Sequence, residues 1–181
     1  MRRQAELLAA LVNLAVPGLR QGAPYEAPTA AEVLSGFATH FTEPRRTALT
    51  DTEGAGEGLV ELAADLHGAL TAPGIAATAT RLNTLIDRCH AHPYLTNDTG
   101  QPFHLHFHGT GGPVQAVGGE LATALALVID TLGEDRFGTC EAHACDRVYV
   151  DLTRNGARRY CGTACAARAK TAAYRARRGT R

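Results

Sequence analysis

The sequence lacks several features that would place it in a common functional class. It has no apolar run of about 18 residues, so we expect no segment that crosses a membrane. Its formal net charge is zero and 45% of its residues are apolar, which is typical of a globular protein and not of a disordered chain. All of its 18 basic residues except Lys170 are arginine, which stays charged near neutral pH and binds phosphate through two N–H groups at once.

Patterns that are diagnostic of catalysis are also missing. The glycine-rich stretch 53–58 is not followed by the Lys-Ser/Thr pair of a phosphate-binding loop. Residues of the Ser-His-Asp, Cys-His and paired-carboxylate types are present, but not in a context that identifies an active site. We therefore assign no enzymatic activity from the sequence.

The balanced charge hides a strong separation along the chain. Residues 1–139 carry 8 basic and 15 acidic side chains, a net charge of −7, whereas residues 140–181 carry 10 basic and 3 acidic ones, a net charge of +7. A basic end of this kind is expected to bind a polyanion such as nucleic acid. The alternative is a basic tail that docks on the acidic part of the same chain.

The first part of the chain predicts a mainly helical domain. Apolar residues recur at helical spacing in residues 7–15, 59–70, 75–91 and 118–132, and Thr29 with Glu32 predicts a capped helix through Phe37. The period changes to two from Phe103 to His108, which predicts a strand that forms a β-hairpin with residues 114–117. We place a domain boundary in residues 133–138, which gives a helical domain over 1–135 and a small module over 136–181.

Three histidines share one face of the predicted strand: His104, His106 and His108. Imidazoles at this spacing can bind a divalent metal, sense pH or bind an anionic ligand. Acidic residues are absent between Tyr94 and Glu120 apart from Asp98, so no carboxylate is placed there to activate water. The simpler interpretation is a polar sheet face that packs against helices or lines a ligand pocket.

The small module contains four cysteines in two pairs. Cys140 and Cys145 are separated by four residues and Cys161 and Cys165 by three, with fifteen residues between the pairs. This spacing predicts tetrahedral binding of one structural Zn²⁺, because four protein thiolates leave no open position for catalysis. His143 is an alternative ligand, but four well-spaced cysteines make it a bystander. The isolated Cys89 is interpreted as a buried structural thiol.

The sequence around the cysteines predicts the shape of the module. Residues 147–152 alternate like a strand, and Asn155-Gly156 is a strong signal for a two-residue hairpin turn. The resulting order of knuckle, hairpin and helix is that of a treble-clef-like zinc finger. Basic residues in the second half are the candidate nucleic-acid contacts: Arg154, Arg158, Arg159, Arg168, Lys170, Arg175, Arg177 and Arg178. A helix starting near Cys165 would place Arg168, Arg175 and Arg178 on one face, with Lys170, Tyr174, Arg177 and Arg181 in an adjoining stripe.

At these residues the chain resembles the CGNR zinc-finger family of bacterial proteins. The resemblance is carried by Cys140-x4-Cys145, Arg147-Val-Tyr-Val-Asp151, Arg154-Asn-Gly156, Arg158-Arg-Tyr-Cys161 and Cys165-Ala-Ala-Arg168. Members combine this finger with a larger N-terminal part, called the ABATE domain, and are regarded as candidate stress-induced transcription regulators. The family's Cys-Gly-Asn-Arg reads Cys165-Ala-Ala-Arg168 here, so no role of the missing asparagine is transferred.

The sequence therefore predicts a cytoplasmic bacterial DNA-binding regulator with one structural Zn²⁺. The expected fold is mainly α (α+β): a helical N-terminal domain with one β-hairpin, which would bind a small ligand or form a homodimer, followed by the zinc finger. A module in which zinc only shapes a protein-docking surface is the alternative. A histidine-metal enzyme is a third hypothesis, and it requires a second bound metal per chain.

Overall fold

The structure, a computed structural model, describes residues 2–97 and 102–179. Asp98 and Arg181, which entered the sequence argument, lie outside the described residues, as do the side chains of His104 and His108.

The described residues form seven helices and three two-stranded antiparallel sheets. The helices are α1 (Arg2–Ala15), α2 (Ala30–Ala38), α3 (Arg45–Thr50), α4 (Ala55–Leu70), α5 (Ile75–Arg88), α6 (Pro113–Leu132) and α7 (Thr163–Gly179). The strands are β1 (Gly18–Arg20), β2 (Ala23–Tyr25), β3 (His92–Thr96), β4 (His104–His108), β5 (Phe137–Thr139) and β6 (Val148–Val150). The predicted fold class, mainly helical with small sheets, is confirmed.

Local sequence explains where α2 begins. The Thr29 hydroxyl oxygen accepts a hydrogen bond from the Glu32 backbone N–H at 3.3 Å, and the Glu32 carboxylate accepts one from the Thr29 N–H at 2.9 Å. This reciprocal capping satisfies two backbone donors that the first helical turn leaves free, and it confirms the predicted capping box.

Helices α4 and α6 form the centre of the bundle and pack against α1, α2 and α5. Their apolar faces meet in one core, in which each fully buried leucine contributes about 1.5–3 kcal/mol relative to an exposed one. The core leucines and phenylalanine that are buried almost completely are Leu8, Leu11, Phe37, Leu49, Leu59, Leu66, Leu82, Leu121 and Leu125. Among the described helices, α6 alone is long and apolar enough to cross a membrane, and about half of it is buried in this core.

The hairpin predicted after residue 108 is wrong. Residues 114–117 belong to the first turns of α6, because Gly112 and Pro113 begin a helix there, with proline at a position that needs no N–H donor. Strand β4 instead pairs with the preceding β3, with Leu95 opposite Leu105. Helix α5, predicted to run to residue 91, ends at Arg88, and His90 adopts a positive φ of 49° that leads the chain into β3.

The hairpin predicted around Asn155-Gly156 is also wrong. Gly156 has the positive φ of 59° that such a turn requires, but β6 pairs with the earlier β5, with Phe137 opposite Val150. The Asp151 carboxylate accepts hydrogen bonds from Thr153 N–H at 2.9 Å and Arg158 N–H at 2.8 Å, and so holds residues 151–158 as a loop. The first cysteine pair therefore lies in the connection of the β5–β6 hairpin.

Several elements were not predicted: α3, of which only Leu49 is buried, the β1–β2 hairpin, and strands β3 and β5. The division of the chain at residues 135/136 stays a prediction. In the structure, Val148 and Val150 of β6 are buried in the same core as the helical bundle. Strand β6, which was predicted to belong to the zinc module, is thus packed as part of the helical domain.

Candidate metal centre

The four predicted zinc ligands come together from two parts of the chain. Cys140 directly follows β5 and Cys145 precedes β6, whereas Cys161 precedes α7 and Cys165 lies in its first turn. Cys140, Cys145 and Cys165 are buried, and Cys161 is partly buried. Among the residues that the structure describes, these cysteines are the one group of at least three ligand-type side chains close enough to hold a metal ion.

The spacing of the sulfur atoms fits a tetrahedral Zn²⁺. All four Sγ atoms lie within 4.8 Å of one another, and Cys145, Cys161 and Cys165 are separated by 3.6, 3.7 and 3.9 Å. Zn–S bonds of about 2.3 Å in a tetrahedron place the sulfurs about 3.8 Å apart. The chemistry of the donor set agrees, since thiolates are the preferred ligands of structural zinc. The four cysteines form a site for a single zinc ion.

Hydrogen bonds favour the ionised form of one of these thiols. Burial raises the pKa of the Cys145 thiol, but hydrogen bonds from the backbone N–H groups of Gln21 and Arg147, together with those from the Cys165 and Cys140 thiols, outweigh this effect and lower the pKa to about 7. A thiol with this pKa is partly ionised at neutral pH, and metal binding requires the thiolate. Gln21 belongs to the β1–β2 turn, so a residue far from the cysteines in sequence supports the centre.

The β1–β2 hairpin docks directly on the cysteine knuckle. Gly22 N–H donates to the Ala144 carbonyl at 2.8 Å, and Asp146 N–H donates to the Leu19 carbonyl at 3.1 Å. Leu19 N–H in turn donates to the Asp146 carboxylate at 2.9 Å. These bonds between backbone segments fix the first cysteine pair against the N-terminal part of the chain.

Asn13 and Arg147 complete the attachment. The Asn13 side-chain amide donates to the Val148 carbonyl and its oxygen accepts from the Val148 N–H, both at 2.9 Å, so that it extends the edge of β6. The Arg147 guanidinium, which is only 4% exposed, donates to the carbonyls of Asn13 at 2.8 Å and Val16 at 2.9 Å. It also lies over the Tyr25 ring, 4.8 Å from the centroid, and forms an ion pair with Asp146 at 3.2 Å. The Arg147 guanidinium therefore binds groups within the protein.

Neither Asn13 nor Arg147 was predicted to have this role. Asn13 was visible as a polar residue within an apolar helical pattern, which is the usual sign of a buried hydrogen-bonding partner. Its partner lies 135 residues away, and no local pattern identifies it.

Three of the predicted nucleic-acid contacts bind other parts of the finger in the structure. Arg168 donates to the His143 carbonyl at 2.8 Å and lies 3.8 Å from the Cys165 sulfur. Arg158 donates to the carbonyls of Cys161 at 2.6 Å and Val150 at 3.2 Å. Arg159 forms an ion pair with Glu141, which lowers the pKa of the Glu141 carboxyl and joins the two cysteine pairs across the centre.

The other predicted contacts point outward. Arg154, Lys170, Arg175, Arg177 and Arg178 are exposed, and within the described residues none of them forms an ion pair. Tyr174 accepts a hydrogen bond from Arg178 at 3.2 Å, and the guanidinium carbon of Arg178 lies 5.7 Å from the centroid of the Tyr174 ring. A groove of about 460 Å³ runs between the knuckle and α7 and is lined by His143, Arg168, Thr171 and Arg175, among others.

The histidine strand lies at a different place in the fold, on β4 beside α6. His106 is partly buried and lines a small cavity of about 70 Å³ together with Gln4 and Glu120. Glu120 is buried and forms an ion pair with Arg45 at 2.9 Å. The side chains of His104 and His108 lie outside the described residues, so the predicted histidine face stays a prediction.

The geometry defines a structural zinc centre of the four-cysteine class. Residues 136–178 match the family model of the CGNR zinc finger, which covers all four cysteines and most of α7. A comparison with curated proteins finds no match. The C-terminal segment is therefore similar to CGNR zinc fingers, in agreement with the resemblance seen in the sequence.

Proposed function

We propose that this protein is a DNA-binding transcription regulator whose zinc finger presents the basic helix α7 to duplex DNA. The observation that carries the proposal is a set of exposed cations on two adjoining faces of α7, Arg175 with Arg178 and Lys170 with Arg177, for which the described residues provide no acidic partner. Arginines of this kind bind phosphate oxygens, and an α-helix fits the major groove.

The beginning of α7 is held in a way that suits this role. When zinc is bound, it supplies a rigid cross-link between the knuckle and the first turn of α7. Arg168 adds a second connection to the knuckle through the His143 carbonyl. A helix that is fixed at one end and basic along its exposed length can approach DNA in a defined orientation. The four thiolates leave no position for a substrate, and we assign the zinc no catalytic role.

The N-terminal part supports the proposal through its charge. Residues 1–139 have a net charge of −7 and would be repelled by DNA, so binding would be confined to the basic end. The resemblance to the CGNR family adds an ABATE-type domain that binds a ligand or mediates dimerisation, in a cytoplasmic bacterial regulator of stress-induced genes. We adopt this as the working description of residues 1–135.

The test is a salt-titrated binding measurement with the full, zinc-loaded chain. Fluorescence anisotropy is measured on random and genomic duplexes, and on a single-stranded RNA of equal length. If six to ten phosphates are contacted, affinity for duplex DNA falls by roughly 10³- to 10⁵-fold between about 50 and 200 mM salt. Undetectable DNA binding at physiological salt with zinc bound would contradict the proposal, as would a clear preference for RNA.

A matched pair of variants locates the binding surface. Arg175→Ala combined with Arg178→Ala is expected to make the salt dependence less steep by about two units, because two phosphate contacts are lost. Arg2→Ala combined with Arg81→Ala removes the same charge from exposed positions of the helical part and is expected to leave the slope unchanged. If the α7 variant binds DNA like the wild type, the finger instead serves as a protein-docking module.

A further inference from the structure

Helix α7 carries one large uncharged side chain, and it is exposed to solvent. This side chain is Tyr174, with an exposed fraction of 53%. Every other uncharged residue in 166–178 is an alanine, except Thr171. Single exposed apolar residues are common on protein surfaces, so the significance of Tyr174 comes from its position relative to the cations of the helix.

Two cationic faces of α7 lie on either side of Tyr174. The first face is formed by Arg175 and Arg178. The second face is formed by Lys170 and Arg177. Successive residues of an α-helix are rotated by about 100°, which places the centres of the two faces about 120° apart around the axis. Tyr174 lies within this interval, about 70° from the centre of the first face and about 50° from the centre of the second.

The side of α7 that carries Tyr174 points away from the zinc centre. Cys165 lies nine residues earlier, so at about 100° per residue the two side chains are on opposite sides of the helix axis. Their positions along the axis differ by about 14 Å, at about 1.5 Å per residue. Residues 171–178 are all exposed, so the described part of the protein leaves this length of helix open on every side. A ligand can therefore contact Tyr174 and both cationic faces at once.

This arrangement suits the major groove of duplex DNA. An α-helix with its side chains is about 10–12 Å in diameter, and the groove is about 12 Å wide. A helix in this groove turns its two flanks toward the phosphates of the two strands and the line between the flanks toward the base edges. The two cationic faces of α7 correspond to the flanks, and Tyr174 lies on the line between them. The alanines around Tyr174 allow the helix backbone to come close to the bases.

The hydrogen bond that Tyr174 forms within α7 leaves its hydroxyl group able to contact a base. The Tyr174 oxygen accepts a hydrogen bond from the Arg178 guanidinium at 3.2 Å. Because a phenolic hydroxyl both accepts and donates, its O–H group can still donate to a second partner. In the major groove the acceptors are N7 of the purines, O6 of guanine and O4 of thymine, and the ring edge can contact the thymine methyl group. Arg178 thus positions Tyr174, and its other N–H groups can bind a phosphate.

We propose that Tyr174 contacts base edges in the major groove and determines which DNA sequence the protein prefers. Arg175 and Arg178 bind phosphates of one strand, and Lys170 and Arg177 bind phosphates of the other. This role rests on the proposed function, because it requires duplex DNA as the ligand. It adds to that function a division of α7 into two phosphate-binding faces and one residue that selects the sequence.

Binding-site selection with the full, zinc-loaded chain tests this role. The wild type is expected to enrich a preferred sequence from a library of random duplexes. Tyr174→Ala is expected to reduce the ratio of the affinities for the preferred duplex and a random one by at least about fivefold, because a base contact is lost. The control, Arg175→Ala, removes a phosphate contact, so it is expected to weaken binding to both duplexes equally and to make the salt dependence less steep by about one unit. Circular dichroism and zinc content verify that both variants are folded.

Modified bases locate the contact on the DNA. Purines of the preferred duplex are replaced one at a time by 7-deazapurines, which lack N7, and thymines by uracil, which lacks the methyl group. At the contacted position the replacement is expected to weaken binding of the wild type by about threefold or more and to leave binding of Tyr174→Ala unchanged.

Three outcomes overturn the role of Tyr174 while DNA binding itself stands. They are a wild type that binds duplex DNA without sequence preference, a Tyr174→Ala variant that keeps the full preference, and a set of modified duplexes that the two proteins bind with the same pattern. A wild type that binds no duplex DNA overturns the role of Tyr174 and the proposed function together.

Discussion

The two sides of the zinc finger are attached to the rest of the protein in opposite ways. The β5–β6 side is part of the core: Val148 and Val150 are buried, and Arg147 is bonded to the end of α1. Helix α7 begins at the same metal centre, but every residue from 171 to 178 is exposed. The zinc site thus connects strands that are packed in the core to a basic helix whose second half is exposed to solvent. The difference predicts that changes on the first side alter stability and changes on the second alter binding.

Removal of a zinc ligand has the largest expected effect. Cys165 is completely buried, and Cys165→Ser is expected to abolish tight zinc binding, because a serine hydroxyl does not replace a thiolate as a zinc ligand. The finger then loses a contribution of about 10–16 kcal/mol, the value for structural zinc in small finger peptides. Elemental analysis and circular dichroism are expected to show loss of the metal and of the helicity of α7, while the helical bundle stays folded. Cys89→Ala is the control, since Cys89 is buried away from the centre and zinc content should not change. Full zinc content in the Cys165 variant would exclude the four-cysteine site.

Arg147→Met tests the fixed side directly. The change removes hydrogen bonds to two carbonyls and leaves those acceptors without a partner, so the free energy of unfolding is expected to fall by about 2–4 kcal/mol. Arg154→Ala is the matched control on an exposed arginine and is expected to change stability by less than about 0.5 kcal/mol. Denaturant titration of both zinc-loaded variants makes the measurement. Equal free energies of unfolding for the two variants would contradict the view that the β5–β6 side is held more firmly than the exposed side.

Asp151 connects the fixed side to the second cysteine pair, and its replacement is expected to have an intermediate effect. The carboxylate is 1% exposed and accepts hydrogen bonds from Thr153 and Arg158, which lower its pKa despite burial. Asp151→Asn weakens these bonds and is expected to cost about 1–3 kcal/mol. Asp135→Asn, at a side chain that is 80% exposed, is the control. Thermal unfolding of the two variants should differ by several degrees, and identical transitions would contradict the proposed anchor.

His67 of α4 provides the smallest predicted effect. Burial lowers the pKa of His67 below its usual value of 6.5. The positive charge of Arg147 also lowers this pKa, and the negative charge of Asp146 raises it, but by less than burial lowers it. The folded state therefore disfavours the protonated ring, so stability is retained above the unfolded pKa and is lost as pH falls through about 6.5. Because the ring is partly exposed, we expect a loss of only a few tenths of a kcal/mol. Denaturant titrations at pH 8 and pH 6 should show a smaller pH dependence for His67→Gln than for the wild type. Identical pH dependences would contradict this assignment.

Local chemistry made the metal site and several helices predictable. The spacing of the cysteines identified all four ligands, and Thr29 with Glu32 identified the start of α2, because each depends on residues close together in sequence. The errors arose where two local interpretations competed. Gly112-Pro113 was interpreted as part of a hairpin turn but begins α6, and Asn155-Gly156 forms a turn without paired strands because Asp151 holds the loop.

The attachment of the finger could not be derived from the sequence. It depends on Asn13 meeting Val148 and on the β1–β2 turn meeting residues 144–146, contacts that span more than 120 residues. No sequence pattern around either residue identifies its partner. The same is true of the β3–β4 sheet: the alternation of apolar and polar residues in 103–108 was evident, but the pairing of β4 with β3 and its contact with α6 were not.

The contact between Asn13 and Val148 has a consequence for how the chain folds during synthesis. Helix α1 leaves the ribosome before β6, because its partners in β6 are made more than a hundred residues later. Until they emerge, the Asn13 amide and the apolar side of α1 that β6 covers remain open to solvent or to chaperones. Closing so long a loop is slow compared with the formation of local helices. Completion of the core is therefore a late event, and it coincides with the appearance of the cysteine knuckle that binds the metal.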